Sequence, residues 1–231
     1  MTATRDEAVR GLRDGVRVRA VVFDLDGVLV DSFQVMREAF HIAYAEVVGD
    51  GPAPFEEYNR HLGRYFPDIM RIMGLPLELE EPFVRESYRL AHRAPLFPGV
   101  PALLTELGEL GVRLAVATGK SGPRARSLLD GLGVLRRFDH VLGSDEVAHP
   151  KPAPDIVLRA LELLGVGAAD ALMVGDAVTD LASARGAEVG AVAALWGETD
   201  EASLRAAGPD AVVRSPGELL ALVRNGLPAP R

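Results

Sequence analysis

From residue 95 onward, short apolar runs alternate with helical stretches, and few folds accept that alternation. "ALLTELGELG" precedes "RLAVAT", "PRARSLLDGLG" precedes "DHVLG", and "PDIVLRALELLG" precedes "ALMVGD". "TDLASARGA" then leads to "AVAAL", and a last "AVV" is followed by "GELLALV". Strands joined through single helices run parallel, and a parallel sheet needs cover on both faces. One more strand, "RVRAVVFDLD", stands alone far upstream at 17–26. Between it and residue 95 the periodicity is helical: "VMREAFHIAYAEVVG" and "EEPFVRESYRLAHRA" carry apolar residues at helical spacing, and "FEEYNRHLGRYFPDIMRIMG" reads as two short helices broken at Gly63 and Pro67. The expectation is an α/β chain with a Rossmann-like doubly wound parallel sheet and a helical cap inserted after the first strand. Residues 1–32 and 96–231 would form the core and 33–95 the cap, with an extra helix or arm before Arg17.

A chain of 231 residues can bury such a core. No apolar run approaches the roughly 18 residues that span a bilayer, and "MTATRDEAVRGLRDGVRVRA" has no apolar segment of the signal-peptide kind, so no membrane association and a cytoplasmic location are expected. A net charge of −8 argues against nucleic acid as a partner. Cysteine is absent, which removes disulfides, thiolate nucleophiles and Cys-ligated zinc. A metal site must then use carboxylates, carbonyls or the five histidines, and oxygen ligands suit Mg²⁺.

Open parallel sheets bind ligands at the carboxyl ends of their strands. Asp24 and Asp26 follow the first strand, with Asp31 close behind. Thr118, Gly119, Lys120 and Ser121 follow "LAVA", Lys151 precedes "PDIVLRAL", and Asp176 and Asp180 follow "LMVG". The chain has only two lysines, Lys120 and Lys151, and both fall in these segments although arginine is plentiful elsewhere. A lone D-x-D at a strand end is usually a turn, and a lone "GDAVTD" can be a helix N-terminus whose acids favour the dipole. In this order on successive βα units, the acids, the hydroxyl and the lysines read instead as a ring around a cation and a reacting anion.

That set suits phosphate-ester chemistry, where an anionic nucleophile must approach an anionic phosphorus. Asp24 fits a carboxylate nucleophile that forms an aspartyl-phosphate. Asp26 fits a general acid and base. Thr118, Gly119 and Lys120, at a helix N-terminus, fit phosphoryl oxygens, and Lys151 offsets the acids. Asp24, the Asp26 carbonyl, Asp176 and Asp180 are the expected metal set, with Asp180 holding either a bound water or Lys151. A small-molecule phosphate ester is the expected partner, and the oligomeric state is left open.

"DLDGVLVDS", "ATGKS", "KPAPD" and "GDAVTD" resemble the four motifs of the haloacid dehalogenase superfamily, and the resemblance covers nearly the whole chain. It implies a Mg²⁺-dependent phosphatase. Asp26 departs from the dehalogenase branch, which lacks an acid there, and a cap without lysine departs from the phosphonatase branch, which uses one as a Schiff base. Ala177 stands where many members have Ser, and Ile156 where many have an aromatic. The stretch from Pro54 to Gly99 resembles phosphatases associated with 3-amino-5-hydroxybenzoate synthesis in ansamycin-type antibiotic pathways, close to phosphoglycolate phosphatases. That implies a sugar or aminosugar phosphate as substrate. A phosphomutase of the β-phosphoglucomutase type and a phosphoglycolate phosphatase are the alternatives; a receiver-type signalling module would be about half this length and lack the helical insertion. Outside the motifs, Arg64 beside the Gly63 break is a candidate substrate contact, His149 and Trp196 read as a loop residue and an edge of the core, and His61 flanks the same break.

Overall fold

The computed structural model describes residues 18–226, so the arm expected before Arg17 lies outside them. In chain order the elements are β1 (Ala20–Phe23), α1 (Phe33–Val47), α2 (Phe55–Asn59), α3 (Phe66–Met73), α4 (Glu80–Leu90), α5 (Val100–Glu109), β2 (Arg113–Thr118), α6 (Gly122–Gly131), β3 (His140–Gly143), α7 (Asp155–Leu164), β4 (Ala171–Gly175), α8 (Val178–Gly186), β5 (Gly190–Ala194), α9 (Glu201–Ala206), β6 (Ala211–Val213) and α10 (Pro216–Asn225).

The six strands form one parallel sheet in the order β3-β2-β1-β4-β5-β6. Alternation along each strand sends one set of side chains to each face. Val21, Phe23, Leu114, Val116, Leu172 and Val174 share one apolar cluster with Leu103, Leu104 and Leu107 of α5 and Leu219 and Val223 of α10. Ala20, Val22, Ala115, Ala117 and Met173 share the other with Ile156, Val157, Ala160 and Leu161 of α7 and Leu181 and Ala184 of α8. The small alanines on this second face let two helices lie close to the sheet. The α/β expectation is met.

β1 pairs with β2 on one side and β4 on the other, so the order of strands reverses between β1 and β4. A ligand crevice opens outside the carboxyl ends of the strands at such a switch point. Asp24 and Asp176, each one residue beyond its strand, therefore come to lie side by side.

Helices α1 to α4 occupy the stretch between β1 and α5. They gather an aromatic cluster in which Phe66 stacks on Phe83 at 4.3 Å and Tyr58 lies 4.8 Å from Phe40 and 5.5 Å from Phe55, measured between ring centroids. Gly63 falls in the turn between α2 and α3, as its sequence context predicts. Pro67 does not break a helix; it occupies the first turn of α3, where its missing N–H has no intrahelical acceptor to lose. The two chain crossings that join this helical stretch to the sheet are hydrogen-bonded to each other. Asp31 N–H donates to Pro95 O at 2.9 Å and Phe97 N–H to Leu29 O at 3.0 Å.

Candidate active site

The loops leaving β1, β2 and β4 and the loop ahead of α7 meet in one cleft. Asp24 N–H donates to Val174 O at 2.9 Å, which fixes it against the end of β4. Asp24, Thr118, Lys151, Asp176 and Asp180 are all buried. Lys151 reaches into their midst. Its Nζ lies 2.9 Å from Asp24 Oδ1 and 2.6 Å from Asp180 Oδ1, and donates to Ala117 O at 3.1 Å. Burial alone would lower the pKa of this ammonium; Asp180 and Asp24 outweigh it and hold it above the ordinary lysine range. Asp180 uses its other oxygen to accept from Ala177 N–H at 3.0 Å, so its carboxylate braces Lys151 and the turn into α8 together.

Burial, reinforced by Asp180 and opposed by Lys151, pushes the Asp24 carboxyl up to about 7. Asp176 is raised well above the usual carboxylate range by burial first, then by Asp180 and Asp24. Asp24 Oδ1 is buried without an aligned hydrogen bond, although Lys151 is close by. Asp24, Asp176 and Asp180 can each offer a carboxylate oxygen within 4.8 Å of the others. Three buried, mutually repelling hard donors within reach of one another fit a divalent cation of the Mg²⁺ type. Asp176 is seated by close backbone approach: a Cβ on Gly197 would stand 2.2 Å from its Oδ2, and Glu198 N–H donates to that same oxygen at 3.1 Å.

The Asp26 carboxylate turns to other partners. Ser32 Oγ donates to its Oδ1 at 2.5 Å, and Lys120 Nζ lies 3.1 Å from its Oδ2. Burial raises its pKa, yet Lys120 and Ser32 together hold it below the usual range. Lys120 is itself lowered by burial, with Asp26 restoring part of the loss. Thr118 Oγ1 accepts from Lys120 N–H at 3.2 Å, and Ser144 Oγ donates to Thr118 O at 3.0 Å, which holds the β2 turn in place.

The helical stretch closes over these groups. Thr179 Oγ1 donates to Leu62 O at 3.2 Å, and a Cβ on Gly119 would stand 2.6 Å from Arg64 O. The loop between α2 and α3 thus touches the turns after β2 and β4. The cleft beneath encloses about 640 Å³ of space, open solvent at its mouth included. Its far wall is largely aromatic, with Phe33, Tyr58, Phe66 and Phe83.

Lys151, held by Asp180, reaches Asp24 from behind, and Asp24, Asp26, Thr118, Gly119, Lys120, Asp176 and Arg64 line this cleft. Asp31 is exposed at its edge. His149 stands apart, largely exposed, with Nδ1 2.8 Å from Asp155 Oδ1, and His61 lines a separate outer depression. Trp196 does more than fill an edge, since its Nε1 donates to Val28 O at 2.9 Å and ties the β5 loop to the β1 loop. Arg124, Glu198 and Ser32 also line the cleft and were not among the sequence candidates. A cation in the first turn of α6 is the signal for Arg124, because the helix dipole disfavours it there.

The family model of haloacid dehalogenase-like hydrolases matches residues 18–188. The chain belongs to the haloacid dehalogenase-like hydrolases. Among curated relatives of this hydrolase, "Probable phosphatase IndB" of Dickeya dadantii is 36% identical over 221 residues, covering 87% of this chain and 91% of that one. A phosphoglycolate phosphatase of Rhodospirillum rubrum is 36% identical over 200 residues, covering 79% and 82%. Among solved structures, CbbY from Rhodobacter sphaeroides in complex with phosphate superposes with a TM-score of 0.75 at 28% identity, covering 87% of this chain and 96% of that one. The expected phosphatase enzyme is borne out at this level. Among the described residues, no helix is long and apolar enough to cross a membrane.

Proposed function

We propose that this hydrolase is a Mg²⁺-dependent phosphatase of a small phosphorylated metabolite, acting through an aspartyl-phosphate on Asp24. The observation that carries the reading is the Lys151 bridge between Asp24 and Asp180, with Asp26 two residues on and turned toward Lys120. An Asp24 oxygen attacks phosphorus as the ester P–O bond breaks, and the departing oxygen takes a proton from Asp26. Asp26 then takes a proton from water, whose oxygen attacks phosphorus and breaks the bond to Asp24, releasing phosphate. Thr118, the Gly119 and Lys120 backbone and the Lys120 ammonium hold the phosphoryl oxygens. When those oxygens draw Lys120 away from Asp26, the Asp26 carboxyl is freed to carry a proton. Asp24, the Asp26 carbonyl and Asp176 would hold the metal, with Asp180 completing the acidic set from behind Lys151. Bound there, the metal neutralises charge on the attacking and transferring oxygens.

Residues 33–95 serve in this reading as a lid, pivoting on the paired crossings at Asp31–Pro95 and Leu29–Phe97 and bringing Arg64 over the substrate. A sugar or aminosugar phosphate from 3-amino-5-hydroxybenzoate or a related antibiotic pathway is the proposed substrate. The likeness of the lid stretch to phosphatases of that pathway supports it; the phosphoglycolate phosphatase relatives keep phosphoglycolate in the panel. The test is phosphate release from sugar phosphates, aminosugar phosphates and phosphoglycolate with Mg²⁺, ranked by kcat/KM. Asp24→Asn should abolish release while the protein stays folded. Isomerisation without phosphate release would replace the hydrolase by a mutase, and retained turnover in Asp24→Asn would remove the covalent step.

A further inference from the structure

Arg124 is the only buried arginine among the described residues, at 7% exposure. No hydrogen bond or ion pair within them holds its guanidinium. Its one close partner is the ring of Phe83, whose centroid lies 5.2 Å from Cζ. Three costs fall on this cation. Burial disfavours its charge, which the nearby Asp26 carboxylate restores only in part, the α6 dipole opposes a cation in the first turn, and Lys120 is a like charge near enough to be felt. The ring offsets part of the cost of the charge. Its N–H groups, unpaired among the described residues, form the fork that matches carboxylates and phosphates. Arg124 lines the same cleft as Asp24, Thr118 and Lys120, so these donors meet whatever enters it.

We propose that Arg124 binds a second anionic group of the substrate, a carboxylate or a second phosphate, distinct from the phosphoryl group that is cleaved. This rests on the phosphatase reading but departs from the plain sugar or aminosugar phosphate proposed above: the substrate is a phosphate ester that carries a second anion. Lys120, already paired with Asp26, faces the reacting phosphoryl group. The Asp26 carboxylate that Arg124 feels is itself engaged by Lys120 and Ser32, so Arg124 takes the other anion, while the aromatic wall of Tyr58, Phe66 and Phe83 packs on the substrate body between them. Arg124 is buried with its Cζ 5.2 Å from the Phe83 centroid, so part of its ordering precedes the ligand, which lowers the cost of binding.

The test compares matched esters on the Mg²⁺-loaded full chain. One arm sets phosphoglycolate and its longer ω-carboxyalkyl homologues against alkyl phosphates of equal length. A second arm sets alkanediol bisphosphates against the same alkyl phosphates. The wild-type protein should prefer the anion-bearing member of at least one arm by about tenfold or more in kcat/KM, as for a charged hydrogen bond, and the arm that responds identifies the anion. In Arg124→Gln that preference ratio should collapse, and Arg124→Lys, which keeps the buried charge without the fork, should recover part of it. Equal use of charged and neutral esters by the wild-type protein, or an unchanged ratio in Arg124→Gln, overturns the proposal. If Arg124→Gln fails to fold, the wild-type ratio and Arg124→Lys decide. If no ester of either kind is hydrolysed, the phosphatase reading falls, and calorimetric binding of 3-phosphonopropionate against propylphosphonate decides the role of Arg124: preference for the carboxylate that is lost in the variants supports it, and no preference overturns it.

Discussion

Gly27 and Asp176 are packed so closely that a Cβ on Gly27 would stand 2.1 Å from Asp176 Oδ2. Gly27 also has a φ of 82°, where a side chain is strained by about 1–2 kcal/mol. Gly27→Ala should therefore lower the melting temperature and push Asp176 out of the acidic set. The Mg²⁺ concentration needed for half-maximal phosphate release should rise steeply. An unchanged Mg²⁺ titration would show that Asp176 does not answer to its glycine neighbour.

Asp176→Asn should act in opposite directions on stability and activity. It removes a carboxyl whose ionisation burial, Asp180 and Asp24 all disfavour, so the metal-free protein should melt higher near neutral pH. Activity should fall, and the rise in melting temperature that Mg²⁺ gives the wild-type protein should shrink. Parallel melts with EDTA and with Mg²⁺ read both effects; a lower metal-free melting temperature would contradict the assignment.

Stability of the metal-free protein should fall with rising pH. Asp24 is held at about 7 in the fold against 3.8 ordinarily, so across that interval the folded protein keeps a proton that the unfolded chain has lost. The unfolding free energy then decreases as pH climbs between those values. Mg²⁺ should flatten the slope, since the bound cation replaces the proton. Melting curves across the interval measure it, and a slope of the opposite sign would rule out a raised carboxyl at Asp24.

Asp26→Asn should slow turnover by about 10²–10⁴-fold on alkyl phosphates, the range for a lost general acid. The loss should be smaller for p-nitrophenyl phosphate, whose leaving group departs without a proton. Equal losses on both esters would argue that Asp26 matters only as the partner of Lys120.

Arg64→Ala should cost about 1–3 kcal/mol in kcat/KM for the preferred substrate, the order of a lost charged hydrogen bond. Acetyl phosphate, too small to reach the loop between α2 and α3, should lose less. Equal losses would make Arg64 a brace for its loop, whose backbone already lies against Gly119.

The parallel sheet and most motif residues were legible in the sequence because they sit at or just beyond the carboxyl end of a strand, and a parallel sheet brings those ends to one edge. Asp24, Thr118 and Asp176 needed only that rule. Arg124 did not follow from it, since its surroundings are made by Phe83 from a segment some forty residues earlier in the chain, and no local pattern announces that meeting. Glu198 was hidden for the same reason. The helix α9 escaped because only Leu204 of its six residues is buried, too little for a periodic stripe. Pro67 misled in a simpler way: proline marks a helix start as readily as a helix end.

Trp196 is the only tryptophan in the chain, and its indole N–H is held by Val28 O, in the loop that carries Asp24 and Asp26. The protein therefore contains a native optical gauge. A shift of that loop when a cation or an ester settles against the acids changes the polarity around one indole, with no other to dilute the signal. Emission from the unlabelled protein can follow both events on the timescale of mixing.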